Sequence, residues 1–199
     1  MTGPTFPPEG GRGWRRALLL SIAGALLAIG GIKAASAAWY PAKAVVAQIL
    51  LAQSFEQGLA GGKAVRPWPW ADVTATARLT VERLGKKEIV LSGGSGEAMA
   101  FGPADFPTRH DRHVTLLGAH RETHFAWMRE LQVGDVLALE RIDGTTARYR
   151  VTRMQTVEWD RFAIAARPRE ETLLLATCFP FDADRPGPLR RVAWAERIA

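Results

Sequence analysis

The chain has 199 residues, 47% hydrophobic and 23% charged, a balance that suits one folded domain with extra segments and excludes a wholly disordered chain. Its formal net charge is +6, but Arg12, Arg15 and Arg16 cluster just ahead of an apolar stretch, where anionic lipid explains them as well as nucleic acid does. The one cysteine, Cys178, excludes an internal disulfide and leaves its thiol as a buried filler, a redox or intermolecular handle, or a nucleophile.

Residues 1–16 are rich in Pro, Gly and Arg and too poor in apolar surface to pack, so they read as a disordered lead. Ala17 to Ile32 then carries no charge. That core alone is short of the roughly 20 residues a bilayer requires. Continuing through Lys33, which snorkels outward, to Trp39 and Tyr40 as interfacial anchors predicts a transmembrane helix over residues 17–40. The rival is a cleaved signal peptide, because a basic lead, an apolar core and Ala35-Ser36-Ala37 share that layout. Either way the rest of the chain is exported. The arginines precede the span, so the positive-inside rule leaves the N-terminus cytoplasmic.

Residues 41–73 form the next segment. Apolar residues from Pro41 to Leu59 fall at helical spacing, with Pro41 suited to a first turn and Gly61-Gly62 to a stop, which predicts an amphipathic stalk helix. In "VRPWPWADV" the prolines bar a regular helix, so Trp68 and Trp70 are expected on an extended crossing with their rings laid on apolar surface.

From residue 74 to 199 the texture changes to short β-like runs. Ala75–Val81 alternates, Lys87–Ser92 is apolar, and Gly93–Gly96 turns the chain. Arg112–His120 is a further apolar strand, and Phe125–Leu131 makes one or two helical turns. After a turn at Gly134-Asp135, the chain up to Glu140 reads as strand. Asp143-Gly144 marks a hairpin. Glu171–Cys178 and Leu189–Ile198 complete about eight strands. With few helices and no βαβ rhythm, an all-β, mostly antiparallel barrel or sandwich follows.

Cys178 closes its strand two residues before Pro180, a rim position where a thiol can meet substrate, although a small buried hydrophobe is the common fate of free cysteine. A nucleophilic thiol requires a basic or cationic neighbour. The candidates are His110, His113, His120 and His124. His120 also follows a strand, whereas His110 and His113 lie in a polar loop. His120 and His124 would make a metal pair only on a helix, which the preceding strand disfavours, and no third ligand is spaced for it. Successive strand residues face opposite sides, so one of Arg190 and Arg191 shares a face with Cys178 and can hold a carbonyl oxygen there. Solvated charge on a barrel surface is the ordinary role of either arginine.

The order of "LLGAHRETHF", "LLATC" and "LRRVAWAE" resembles that of the sortases, membrane-anchored cysteine transpeptidases. Their TLxTC motif is matched at Leu175, Thr177 and Cys178, with Leu174 in place of the first threonine. "RPWPWAD" and "CFPFDA" look most like the proteobacterial, Gram-negative branch. The resemblance spans Thr74 to Ile198 and implies a sortase-like eight-stranded β-barrel with short helices, behind a transmembrane helix and a stalk helix. It implies Cys178, His120 and Arg190 as catalytic residues, with Thr177, Leu175 and Arg191 at the substrate. The implied partners are an exported protein bearing a sorting motif, an amine acceptor and the membrane, with no nucleic acid. Motif selection would fall to residues 155–170 and to the loop after Cys178. Some relatives bind calcium; no cofactor or metal is expected, and Glu82, Glu140 and Glu158 are the acidic residues to inspect. The implied setting is the inner membrane, single-pass, with the catalytic domain outside the cytoplasm. Two rivals are a transpeptidase of D-amino-acid bridges, whose Ser-His-Gly-Cys motif is absent before Cys178, and a non-catalytic exported barrel that binds oligomers with its cysteine buried.

Overall fold

The computed structural model describes residues 11–108, 113–161, 164, 170–185 and 187–198. His110, Arg112 and most of residues 162–169 fall outside them. The chain divides into two compact units, Met1–Val46 and Ala47–Ala199.

Helix α1 runs Gly11–Gly61 without interruption, which differs from the sequence reading in two ways. It begins within the expected lead, because no proline after Pro8 interrupts the turns that precede the apolar span. It also does not restart at Pro41. The missing proline N–H costs one backbone bond, and the turns on either side carry the helix across it. In the first unit Gly13–Ala34 is 22 residues at mean hydropathy 2.0, long and apolar enough to cross a membrane.

In the second unit the last turns of α1 place Ala47, Leu51 and Phe55 four residues apart on one buried face, as side chains at that spacing must lie. Leu51 packs with Val73, Leu91, Ala98 and Ala104, and the Arg78 guanidinium lies 4.8 Å over the Phe55 ring. The helix ends where Gly62 takes φ +61 and Lys63 N–H donates to Gly58 O at 3.2 Å. Only glycine enters that left-handed conformation without steric cost. Beyond it, Trp68 packs edge-on against Phe101 with centroids 5.3 Å apart, but Trp70 is 80% exposed. Only the first ring lies on apolar surface. A turn closed by Ala71 N–H on Trp68 O breaks the extended run that would have kept both on one side.

Eight strands follow: β1 (Ala75–Val81), β2 (Lys86–Leu91), β3 (Ala104–Phe106), β4 (Val114–Gly118), β5 (Val136–Arg141), β6 (Thr146–Glu158), β7 (Thr172–Cys178) and β8 (Leu189–Ile198). They close a barrel in the order β1-β2-β3-β4-β7-β8-β6-β5, so the barrel rather than the sandwich is the architecture. Closure through the antiparallel β1–β5 pair leaves no open sheet edge. The β2–β3 and β4–β7 pairs are parallel, and each parallel pair requires a crossover. The first crossover is helix α2 (Gly96–Phe101), capped by Ser95, whose side chain accepts from Ala98 N–H. The segment read as a plain glycine turn therefore starts a helix. The second contains the 3-10 turn Ala126–Arg129 and the β5–β6 hairpin. That hairpin turns at Asp143-Gly144 as expected, with Gly144 at φ +82.

Inward residues alternate along the strands, and Leu79, Leu117, Leu137, Leu139, Tyr149, Leu173 and Leu175 fill the barrel. Phe125, Trp127 and Met128 belong to the same core. The chain after β4 is therefore a plug held by apolar burial, which favours an ordered turn there.

Candidate active site

Cys178 ends β7 and is directly paired with Arg190 across the antiparallel β7–β8 ladder. Opposed residues in such a ladder point to the same face with Cβ atoms about 5 Å apart. On the other side of β7 the parallel pairing with β4 sets Gly118 beside Ala176. Two residues further on, His120 comes level with Cys178. The pairing continues past the strand end because Ala119 N–H donates to Ala176 O at 3.3 Å and the Thr177 hydroxyl donates to Ala119 O at 2.7 Å. Three stretches distant in sequence thus deliver sulfur, imidazole and guanidinium to one place.

That place is a cavity of about 460 Å³ on the outer face of the barrel, lined by His120, Cys178 and Arg190 and by apolar side chains including Met99, Phe106, Leu116, Val157 and Val192. Cys178 is half-buried and lies on the opposite side of β7 from the core residues Leu173 and Leu175. The buried-filler reading of the thiol is therefore wrong. Arg190 donates from one terminal nitrogen to Gly187 O at 2.8 Å and Leu189 O at 2.9 Å, which steadies the guanidinium. Its other nitrogens have no partner among the described residues.

The three residues expected at the substrate occupy different places. Leu175 is fully buried within the barrel core, because it lies three residues before Cys178 and so on the opposite face. Thr177 lines the cavity, is 2% exposed and donates its hydroxyl to Ala119 O, so it also holds the His120 turn against β7. Arg191 opposes Thr177 in the ladder and donates to Thr156 Oγ1 at 3.3 Å, off the face that carries Cys178. Leu174, standing for the motif's first threonine, is fully buried.

His124 does not stack under His120; it pairs through Nδ1 with Glu88 at 2.9 Å. Among the described residues no group of three or more His, Cys, Asp or Glu side chains is placed to hold a metal. Glu82, Glu140 and Glu158 are each engaged by an arginine, Arg148, Arg78 and Arg161 respectively.

One feature of the site was not foreseen, and two residues of the segment expected to select the motif, Val157 and Trp159, lie at the cavity. Arg121, only 4% exposed, reaches from the His120 turn to Pro180 O at 2.7 Å and to Ala183 O, pinning the loop that joins Cys178 to Arg190. A buried guanidinium is stable only with such acceptors. Strand β6 extends to Glu158, so the first part of the segment assigned to motif selection is ladder, and Val157 lines the cavity. Trp159 lies at the same cavity with its ring largely exposed.

A family model described as the sortase domain matches residues 79–198. The chain belongs to the sortase family, whose members are cysteine transpeptidases. Solved structures of similar fold include sortase C1 from Streptococcus suis, at 20% identity and TM-score 0.55 over 63% of this chain and 73% of that one. A pilus-related sortase C of Group B Streptococcus matches at 21% identity and TM-score 0.55, covering 63% and 68%. Sortase A from Corynebacterium diphtheriae matches at 16% identity and TM-score 0.57, covering 65% and 63%. No curated protein matches the chain.

Proposed function

We propose that Cys178 is the nucleophile of a membrane-anchored transpeptidase that cuts a short sorting motif in an exported protein and joins it to an amine. The observation that carries this reading is the convergence of Cys178, His120 and Arg190 on one cavity. The Cys178 thiolate attacks a backbone carbonyl; the carbon–sulfur bond forms, and the carbon–nitrogen bond breaks as His120 gives its proton to the departing amine. The acceptor amine then attacks the thioester, His120 takes the proton it sheds, and the thiolate leaves. Arg190 donates to the oxyanion in both steps. Water in the acceptor's place would give hydrolysis by the same acyl-enzyme. No bound metal or cofactor enters these steps.

The apolar helix over Gly13–Ala34 is the proposed anchor, a single pass through the inner membrane with the N-terminus cytoplasmic and the barrel outside. Retention by carbonate extraction supports the anchor, and a shortened soluble form supports cleavage. The likeness of "RPWPWAD" and "CFPFDA" to the proteobacterial branch supports a Gram-negative setting. The decisive experiment incubates the protein with peptides of the Leu-Pro-x-Thr-Gly type and a primary amine. A ligated product that disappears in Cys178→Ala is expected; product formed equally by that variant overturns the proposal.

A further inference from the structure

Phe106 ends β3 and opposes Leu116 in the β3–β4 ladder, but its ring reaches diagonally along β4 to Gly118. A methyl built on Gly118 would stand 2.6 Å from Phe106 Cε2, and one built on Gly94 would stand 2.3 Å from Cδ1. Both separations are far inside van der Waals contact. The ring is therefore wedged by opposite edges between two residues that have no side chain. Close approach of this kind is available only at glycine. Phe106 also lines the cavity that holds Cys178 and packs on the apolar cluster of Leu51, Val73, Leu91, Ala98 and Ala104. With both edges blocked and packing behind it, the ring forms a fixed wall of the cavity that Cys178 also lines.

The remaining lining favours one kind of occupant. Met99, Leu116, Val157, Ala176 and Val192 are apolar, and charge buried against them would lose hydration without a partner. We propose that Phe106, held by Gly94 and Gly118, is the size gauge of this cavity and limits the apolar side chain that a substrate can seat beside the Cys178 thiol. This inference rests on the catalytic reading above and adds the residue that sets specificity. Removing the ring deepens the cavity for larger groups. A methyl at either glycine would overlap the ring and displace it from this position, which alters the space beside the thiol.

The test is the alkylation rate of Cys178 in the intact protein with N-methyl-, N-ethyl-, N-cyclohexyl- and N-benzylmaleimide, each divided by the rate for glutathione. Phe106→Ala raises the benzyl-to-methyl ratio by about tenfold, the worth of roughly two buried methylene groups. Gly118→Ala shifts the ratio by more than about twofold through the displaced ring, and so does Gly94→Ala, which lies outside the strands and serves if the ladder position does not tolerate a methyl. In the double variant Phe106→Ala/Gly118→Ala the methyl meets no ring, so the ratio returns to that of Phe106→Ala and the two changes are not additive. A ratio unchanged within about twofold in Phe106→Ala, or equal effects of Gly118→Ala with and without the ring, overturns the gauge while leaving the catalytic reading intact. A thiol inert to every reagent in the folded wild type overturns both.

Discussion

Cys178 and Arg190 stand directly opposite each other across the β7–β8 ladder, while the neighbouring Arg191 stands opposite Thr177. Adjacent arginines on one strand therefore serve different faces. Arg190→Ala should lower kcat by about 10²-fold or more, the scale for losing an oxyanion donor. Arg191→Ala, which forfeits only its contact to Thr156, should stay within a few-fold of wild type. Comparable losses in both variants, measured as rates of peptide transfer, would refute the split.

Thr177 lines the cavity and Leu175 lies in the barrel core, and both support the strand that carries the thiol. Thr177→Val removes the hydroxyl donor to Ala119 O, leaves that buried carbonyl unsatisfied, and should destabilise the domain by about 1–3 kcal/mol. It should also slow catalysis by loosening the His120 turn, and Thr177→Ser should restore both. Leu175→Ala should cost about 2–5 kcal/mol through a cavity in the barrel, with substrate KM unchanged in the folded fraction. Denaturant titration beside steady-state kinetics separates the two effects.

Acid should weaken the turn ahead of β5. Asp135 accepts from Arg83 Nε at 2.6 Å and Nη2 at 2.8 Å, and from Gln132 N–H at 2.8 Å. The Arg83 hydrogen bonds, against the opposing effect of burial, hold the Asp135 carboxyl below the usual carboxylate range. A carboxyl lowered in the folded state contributes stability that is full above its unfolded value of about 3.9 and is lost as the pH falls through the folded value. Wild type and Asp135→Asn should therefore differ in Tm at pH 7 and converge as the pH drops below about 3.9. A constant gap down to the acid limit would contradict this.

Much of the barrel was legible because its signals are local. Alternation in Ala75–Val81 and the Asp143-Gly144 turn each reflect a neighbour-scale preference. The order of His120, Cys178 and Arg190 carried the family. Strand β3 has only Ala104–Phe106, too short for any period to show, and α2 was hidden behind glycines that also spell a turn. Arg121 resembles any surface arginine in sequence, since its burial depends on carbonyls some sixty positions away. Leu175 was assigned to substrate by motif proximity, where strand alternation from Cys178 already placed it on the other face.

The most direct test of the shared site is intact-mass analysis of the protein mixed with a Leu-Pro-x-Thr-Gly-type peptide and no added amine. An acyl adduct on Cys178 that hydroxylamine removes, and that fails to form in His120→Ala, is the predicted result. Peptide cleavage that continues in Cys178→Ala, or an adduct carried on any other residue, would contradict it.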